Sequence, residues 1–322
     1  RVLKPLIERR MAYKKKITQC TERAEEYEKK QNLLKWLLVT SFGYMGYNKA
    51  RFGRIECHES ITAYGREILL QTIELAEEMG FEILHGIVDS LWVKGRNPAG
   101  LCSRASERIG ITLEHKGVFR WIVFLPNRSN GSGALNRYYG VMRNGKLKVR
   151  GIEMRRSDTP ALIIRMQEEM LTCLSHAEDA RGFYRTIPET LDILREYSRR
   201  MLAGECRIED MIITARISRS IRDYRQSNSN TAAIRQFRKE GITIQPGQSI
   251  RYVLTDHASK NYMKRVKIAE LADESTQYDR GKYYEFLLRA SESILLPFGY
   301  TKDVLDGVMR RNMQAELGRW GV

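Results

Sequence analysis

Apolar positions recur at helical spacing through the first 40 residues and predict two helices, Leu6–Glu28 and Lys29–Thr40. Ser41–Tyr47 sets Gly43 and Gly46 between aromatic residues, which predicts a close-approach turn ending the second helix. A third amphipathic helix is expected over Glu56–Gly80, with Ile61, Ile68, Leu69, Ile73 and Leu75 recurring along it and Gly80 as its stop. The period then changes. Phe81–Lys94 reads as two short apolar strands joined by a tight turn at Asp89. Pro98–Gly110 predicts a short helix, Ile111–Leu125 strands, and Asn127–Gly133 a turn. Asn136–Ile152 predicts a hairpin closed by Asn144-Gly145. From about residue 158 the pattern is mostly helical, over Pro160–Ala177, Ile187–Ala203, Thr231–Glu240 and Lys282–Leu296. Ile208–Thr214 with Ser218–Tyr224 reads as a basic loop region, and Gly241–Thr255 as an extended, turn-rich insert. Helices around antiparallel strands make an α+β chain.

At 322 residues the chain is long enough for two or more subdomains, and 42% hydrophobic content excludes a disordered chain. No apolar run is long enough to span a bilayer, since Leu33–Val39 is interrupted by Lys35, so no membrane partner is expected. The chain opens at Arg1 without an apolar leader, so a cytoplasmic location and an upstream segment are expected. Charge changes the picture more. Lys and Arg number 55 against 39 Asp and Glu, a net charge of +16. The excess runs along the whole chain, which points to an extended groove for a polyanion, nucleic acid ahead of an anionic membrane. Cys20, Cys57, Cys102, Cys173 and Cys206 form no CxxC pair and are odd in number, the pattern of free thiols in a reducing compartment. No histidine cluster completes a zinc site with them.

Two groups of residues carry candidate chemistry. Arg10 and Lys14, four apart, share a helical face. Lys35 sits among Leu33, Leu34, Trp36, Leu37 and Leu38, so a buried lysine is expected there. Three such cations could grip a triphosphate or simply form a solvated basic face. The second group is Asp89. A lone carboxylate at the tip of a hairpin can present a metal ligand, and Asp is also a favoured residue of ordinary surface turns.

Taken in order, these segments resemble the family B DNA polymerases. Lys35–Tyr47 looks like the fingers motif K-x-x-x-N-S-x-Y-G, and Ala50–Phe52 with Glu56–Arg66 like the helix after it. His85–Ser90 looks like the palm motif Y-x-D-T-D-S, and Asn136-Arg137-Tyr138 like K-x-Y. Arg150–Glu153 resembles the strand before the thumb; Gly241–Val253 and Tyr278–Tyr300 resemble the thumb itself. The resemblance, closest to archaeal members, implies part of a right-hand polymerase: helical fingers over 1–47, an antiparallel-sheet palm over 48–156, and a mostly helical thumb over 157–322. It implies template-directed DNA synthesis from dNTPs on primer–template DNA. Arg10, Lys14, Lys35 and Phe42 would hold the nucleotide, and Asp89 would be the catalytic ligand of two Mg²⁺ ions, with Glu114 a weaker auxiliary carboxylate. Arg137, Tyr138, Arg150, Arg155 and Arg156 would contact DNA.

The chain departs from those motifs where the chemistry is densest. Ile87 stands where the first palm acid is expected, Val39 where the fingers have Asn, Phe42 for Tyr and Asn136 for Lys. A D-x-x-S-L-Y-P-S segment is absent, so the two-metal site needs a carboxylate from an N-terminal polymerase segment or a second chain. An inactivated polymerase paralogue, acting as a DNA-binding or structural factor in replication or repair, is therefore the alternative expectation.

Overall fold

The computed structural model describes residues 3–19, 22–127, 130–220, 224 and 228–319. The chain divides into two compact units, Arg1–Lys116 and Gly117–Val322.

The first unit begins with a packed helix pair, α1 (Leu3–Gln19) and α2 (Ala24–Met45). A turn at Glu22-Arg23 leads into α2, where periodicity places the break at residues 28–29, and α2 runs on to Met45 through the predicted turn. The interior of this pair is thin: α1 buries no side chain and α2 buries Gln31 and Leu34. Tyr13 stacks on Tyr27 across it, with ring centroids 5.8 Å apart. The long helix α3 (Ile55–Glu78) follows and ends as the sequence predicts, with Gly80 at a positive φ of 77°. Hairpin β1 (Glu82–Ile87) and β2 (Ser90–Lys94) pairs antiparallel, Ile87 opposite Ser90. Helix α4 (Pro98–Ile109) has two sequence-readable start signals, Pro98 in its first turn and an Asn97 side chain that accepts a hydrogen bond from the Gly100 N–H at 3.0 Å. Leu75, Ala76, Phe81, Leu101 and Ala105 form the small core between α3, the hairpin and α4.

The second unit holds the larger core. Strands β3 (Phe119–Pro126), β4 (Gly133–Met142) and β5 (Leu147–Arg150) form one antiparallel sheet in that order. Only the later part of the predicted 111–125 strand region is strand. The Asn144-Gly145 turn closes β4–β5, with Gly145 at φ 80°. Helices α5 (Ala161–Ser175) and α6 (Ala180–Ala203) follow, then β6 (Ile213–Arg216), α7 (Ser229–Lys239), β7 (Ser249–Leu254), β8 (Val266–Ile268), α8 (Arg280–Leu295) and α9 (Lys302–Arg319). Strands β6, β7 and β8 make a second sheet inside the segment expected to be mostly helical. The predicted basic loop is thus a 3₁₀ turn (Ile208–Met211) and a strand as far as Arg216; of Ser218–Tyr224, residues 221–223 lie outside the described set. Asp179, Asn228 and Asp279 cap α6, α7 and α8 by accepting backbone N–H bonds in the first turn. No described helix is long and apolar enough to cross a membrane. Cys57, Cys102, Cys173 and Cys206 are free thiols, while Cys20 lies outside the described residues.

Gly151 shows how tightly β4 and β5 are joined. Its φ is 68°, and a Cβ there would collide with the Asn136 carbonyl oxygen. Gly151→Ala combines left-handed strain of about 1 kcal/mol with that clash. Its denaturation midpoint is expected well below wild type by chemical unfolding; an unchanged midpoint would contradict the packing described.

Candidate functional site

In the first unit, Asp89 occupies the exposed tip of the β1–β2 hairpin. The two-residue turn is Val88-Asp89, and Val88 has φ 53°. A β-branched residue in the left-handed region is strained by about 1–3 kcal/mol. Ser90 Oγ donates a hydrogen bond to Asp89 Oδ1 at 3.2 Å. Two residues back, Ile87 sits in the ladder and offers no ligand. Among the described residues no group of three or more His, Cys, Asp or Glu side chains is arranged to hold a metal ion. One carboxylate and a neighbouring hydroxyl do not fit a two-metal site, which needs several anionic oxygens around each ion.

The predicted nucleotide cations lie on the helix pair. Lys35 is exposed, and so are Leu33, Trp36, Leu37 and Val39, which corrects the expectation of a buried lysine. Of the run around Lys35 only Leu34 is buried and Leu38 half-buried, so the lysine stands on the exposed side and its charge stays hydrated. Lys35, Val39 and Phe42 are spaced to share one face of α2. Phe42 is half-buried and stacks on His58 of α3, ring centroids 4.2 Å apart and planes 19° apart. The same imidazole fills the space beside Gly46, where a Cβ would press against it. Arg10 is half-buried with its Nε unpartnered. Lys14 faces Glu114 at 3.8 Å. That carboxylate also accepts a hydrogen bond from Lys116, which, with the charge of Lys14, holds it below the usual carboxylate range. The structure thus pairs one predicted phosphate cation with the predicted auxiliary acid.

In the second unit, the predicted DNA contacts divide into exposed and committed residues. Arg150 and Arg155 are exposed and make no ion pair among the described residues. Arg156 is exposed but forms a two-bond pair with Asp158, Nε to Oδ1 at 2.9 Å and Nη2 to Oδ2 at 2.6 Å. Tyr138 is 4% exposed, its backbone opposite Arg150 in the sheet. Arg137 donates to the carbonyl of Gly151 at 3.1 Å and to Ser293 Oγ at 3.3 Å. Arg137 is thus tied into this unit by its guanidinium, and Tyr138 by burial of its ring. Sequence reasoning missed the partners that hold them. Ser293 donates to Glu153 Oε1 at 2.8 Å, and the fully buried Gln167 donates to Glu153 Oε2 at 2.9 Å. The available signal was a lone polar residue among Ile163, Met166, Met170 and Leu171.

The family model described as DNA polymerase family B matches residues 1–94 and 134–298. The chain belongs to that family. Glu114 falls in the unmatched stretch between the two segments. A DNA polymerase of Thermococcus sp. (strain 9oN-7) is 27% identical over 99% of this chain and 41% of its own length. DNA polymerase 2 of Saccharolobus solfataricus is 36% identical over 55% of this chain and 27% of its own. The solved family B DNA polymerase of Pyrobaculum calidifontis superposes with a TM-score of 0.59 at 23% identity, over 91% of this chain and 37% of that one, and shares its fold. The chain spans about two fifths of the length of the curated relatives it matches end to end.

The Arg156–Asp158 pair has a defined pH signature. The Arg156 hydrogen bond lowers the folded Asp158 pKa below its unfolded value. Its stabilisation is present above the ordinary carboxylate range and is lost as pH falls through the lowered value. Arg156→Ala is therefore expected to reduce the urea midpoint at about pH 7 but not at about pH 2. Equal reductions at both would show that the pair contributes through packing alone.

Proposed function

We propose that this chain is the fingers (1–47), palm (48–156) and thumb (157–322) portion of a family B DNA polymerase, working in template-directed transfer of nucleotides from dNTPs to a primer 3′-hydroxyl. The observation that carries the reading is the ordered family match along both units. Exposed Lys35, Arg150 and Arg155 fit phosphate binding, since none has a competing carboxylate among the described residues. Arg10 and Lys14 remain nucleotide-binding candidates, Lys14 after release from Glu114. Phe42, braced by His58, is the aromatic candidate for the nucleotide on α2. Arg156 reaches phosphate by exchanging Asp158 for it. Arg137 and Tyr138 serve the duplex indirectly, by fixing the strand that bears them.

Asp89 is the catalytic carboxylate in this reading, exposed on a strained turn. Mg²⁺ binding then requires carboxylates from outside this chain's described residues, and no step through the metal follows from the residues present. A second reading has one specific observation in its favour. Ile87 removes an acid from the hairpin, as in a paralogue that binds DNA without copying it.

Two measurements test these readings. Binding to primer–template DNA should weaken by roughly tenfold or more between about 50 and 200 mM salt, as released counterions require; affinity independent of salt would remove the phosphate groove. Primer extension by the 322-residue chain alone should give no incorporation above background. Incorporation that Asp89→Ala abolishes would show that the chain completes its own metal site.

A further inference from the structure

His58 carries no role in the readings above, yet it makes the joint that holds Phe42. Phe42 lies in the last turn of α2, which ends at Met45, so the carbonyls there lack a following turn of N–H donors. His58 lies near the start of α3 and is half-buried.

Three contacts join them. The two rings stack with centroids 4.2 Å apart. His58 Nδ1 lies 3.3 Å from the Phe42 carbonyl oxygen. A carbonyl only accepts, so Nδ1 carries the proton and donates it to one of those carbonyls. The imidazole also packs on the backbone just after α2, since a Cβ on Gly46 would stand 2.9 Å from Nδ1. The stack restrains the Phe42 ring, and the hydrogen bond restrains the backbone that carries it. An aliphatic side chain could fill the same space but would supply neither. At its other end α3 is rooted in the small core through Leu75 and Ala76, so His58 refers Phe42 to an anchored element.

That restraint bears on binding. Of Lys35, Val39 and Phe42, which share a face of α2, only Lys35 has a polar side-chain group. The other two can recognise a ligand through shape alone, and shape recognition requires a ring held in one place.

We propose that His58 is a positioning residue for nucleotide binding, acting through Phe42 without touching the nucleotide. The proposal rests on the nucleotide-binding reading of Phe42 above and adds the residue that sets it.

The test uses the full chain on primer–template DNA with a dideoxy-terminated primer. Affinity for a fluorescent dNTP complementary to the next template base is measured by anisotropy, and affinity for the DNA separately. His58→Ala should weaken dNTP binding by about three- to tenfold, the worth of one aromatic pair, and leave DNA affinity within about twofold. In a Phe42→Ala background the same substitution should add little, because no ring remains to be placed. His58→Phe, which keeps the stack, should recover most of the loss; His58→Leu, which only fills space, should not. Circular dichroism checks that each variant folds. Unchanged dNTP affinity in His58→Ala, an equal loss with and without Phe42, or equal recovery by Leu and Phe would overturn the positioning role and leave the nucleotide-binding reading standing. No dNTP binding by wild type would overturn that reading and the positioning role with it.

Discussion

One buried amide organises the second unit. Gln167 is fully buried on α5, and each of its polar atoms is used: Nε2 donates to Glu153 and to the Ala290 carbonyl at 2.8 Å, and Oε1 accepts from the Met154 N–H at 2.7 Å. A buried amide with an empty valence would cost about 1–3 kcal/mol. Filled, it fixes three elements at once: the 3₁₀ turn after β5, helix α5, and helix α8. Glu153 extends the network through Ser293 to Arg137 on β4. The Tyr139 hydroxyl adds a parallel tie, donating to the Ile294 carbonyl at 2.8 Å from a ring whose burial pushes its phenol pKa up. The exposed cations Arg150 and Arg155 flank this network.

The first unit follows the opposite logic. Its helix pair buries almost nothing and leaves Leu3, Ile7, Met11, Leu33, Trp36 and Leu37 exposed. Its internal ties are a tyrosine stack between α1 and α2 and a phenylalanine–histidine stack between α2 and α3. Such joints stabilise by about 0.5–1.5 kcal/mol each beyond the area they bury. Helices held so lightly can shift against one another at small cost. Lys4, Lys29 and Lys30 pair with glutamates on their own helices, and Lys14 reaches outside the pair to Glu114.

Long helices, their glycine stops and the Asn-Gly hairpin were legible because each leaves a local signal. The second sheet was not. Strands β6 and β8 are four and three residues long, too short for alternation to show against loop composition. Lys35 was misplaced for a different reason. Periodicity shows which residues share a face, not whether that face has a partner, and here Leu33, Trp36 and Leu37 have none within their unit. Tyr138 illustrates a third limit. Both faces of β4 are covered at this point, so Tyr138 and Tyr139 are buried side by side and alternation cannot say which one faces out. Motif order along the chain survived all three failures, because it depends on residue identity and spacing rather than on environment.

The β1–β2 hairpin separates what holds a fold from what holds a metal. Ile87 is β-branched and suits a paired strand, so replacing an acid by isoleucine at this position costs the hairpin nothing and keeps the register opposite Ser90. The turn after it stays strained at Val88, and that strain sets Asp89 outward. A turn that served only to reverse the chain would be relieved by glycine or asparagine at Val88, which take positive φ at less cost. The strained valine leaves Asp89 exposed at the tip, and Ile87 leaves it the one carboxylate of this turn. Mg²⁺ keeps most of its water against a single carboxylate and binds weakly. With one exposed carboxylate, the hairpin by itself meets the demands of a fold and not those of a metal site.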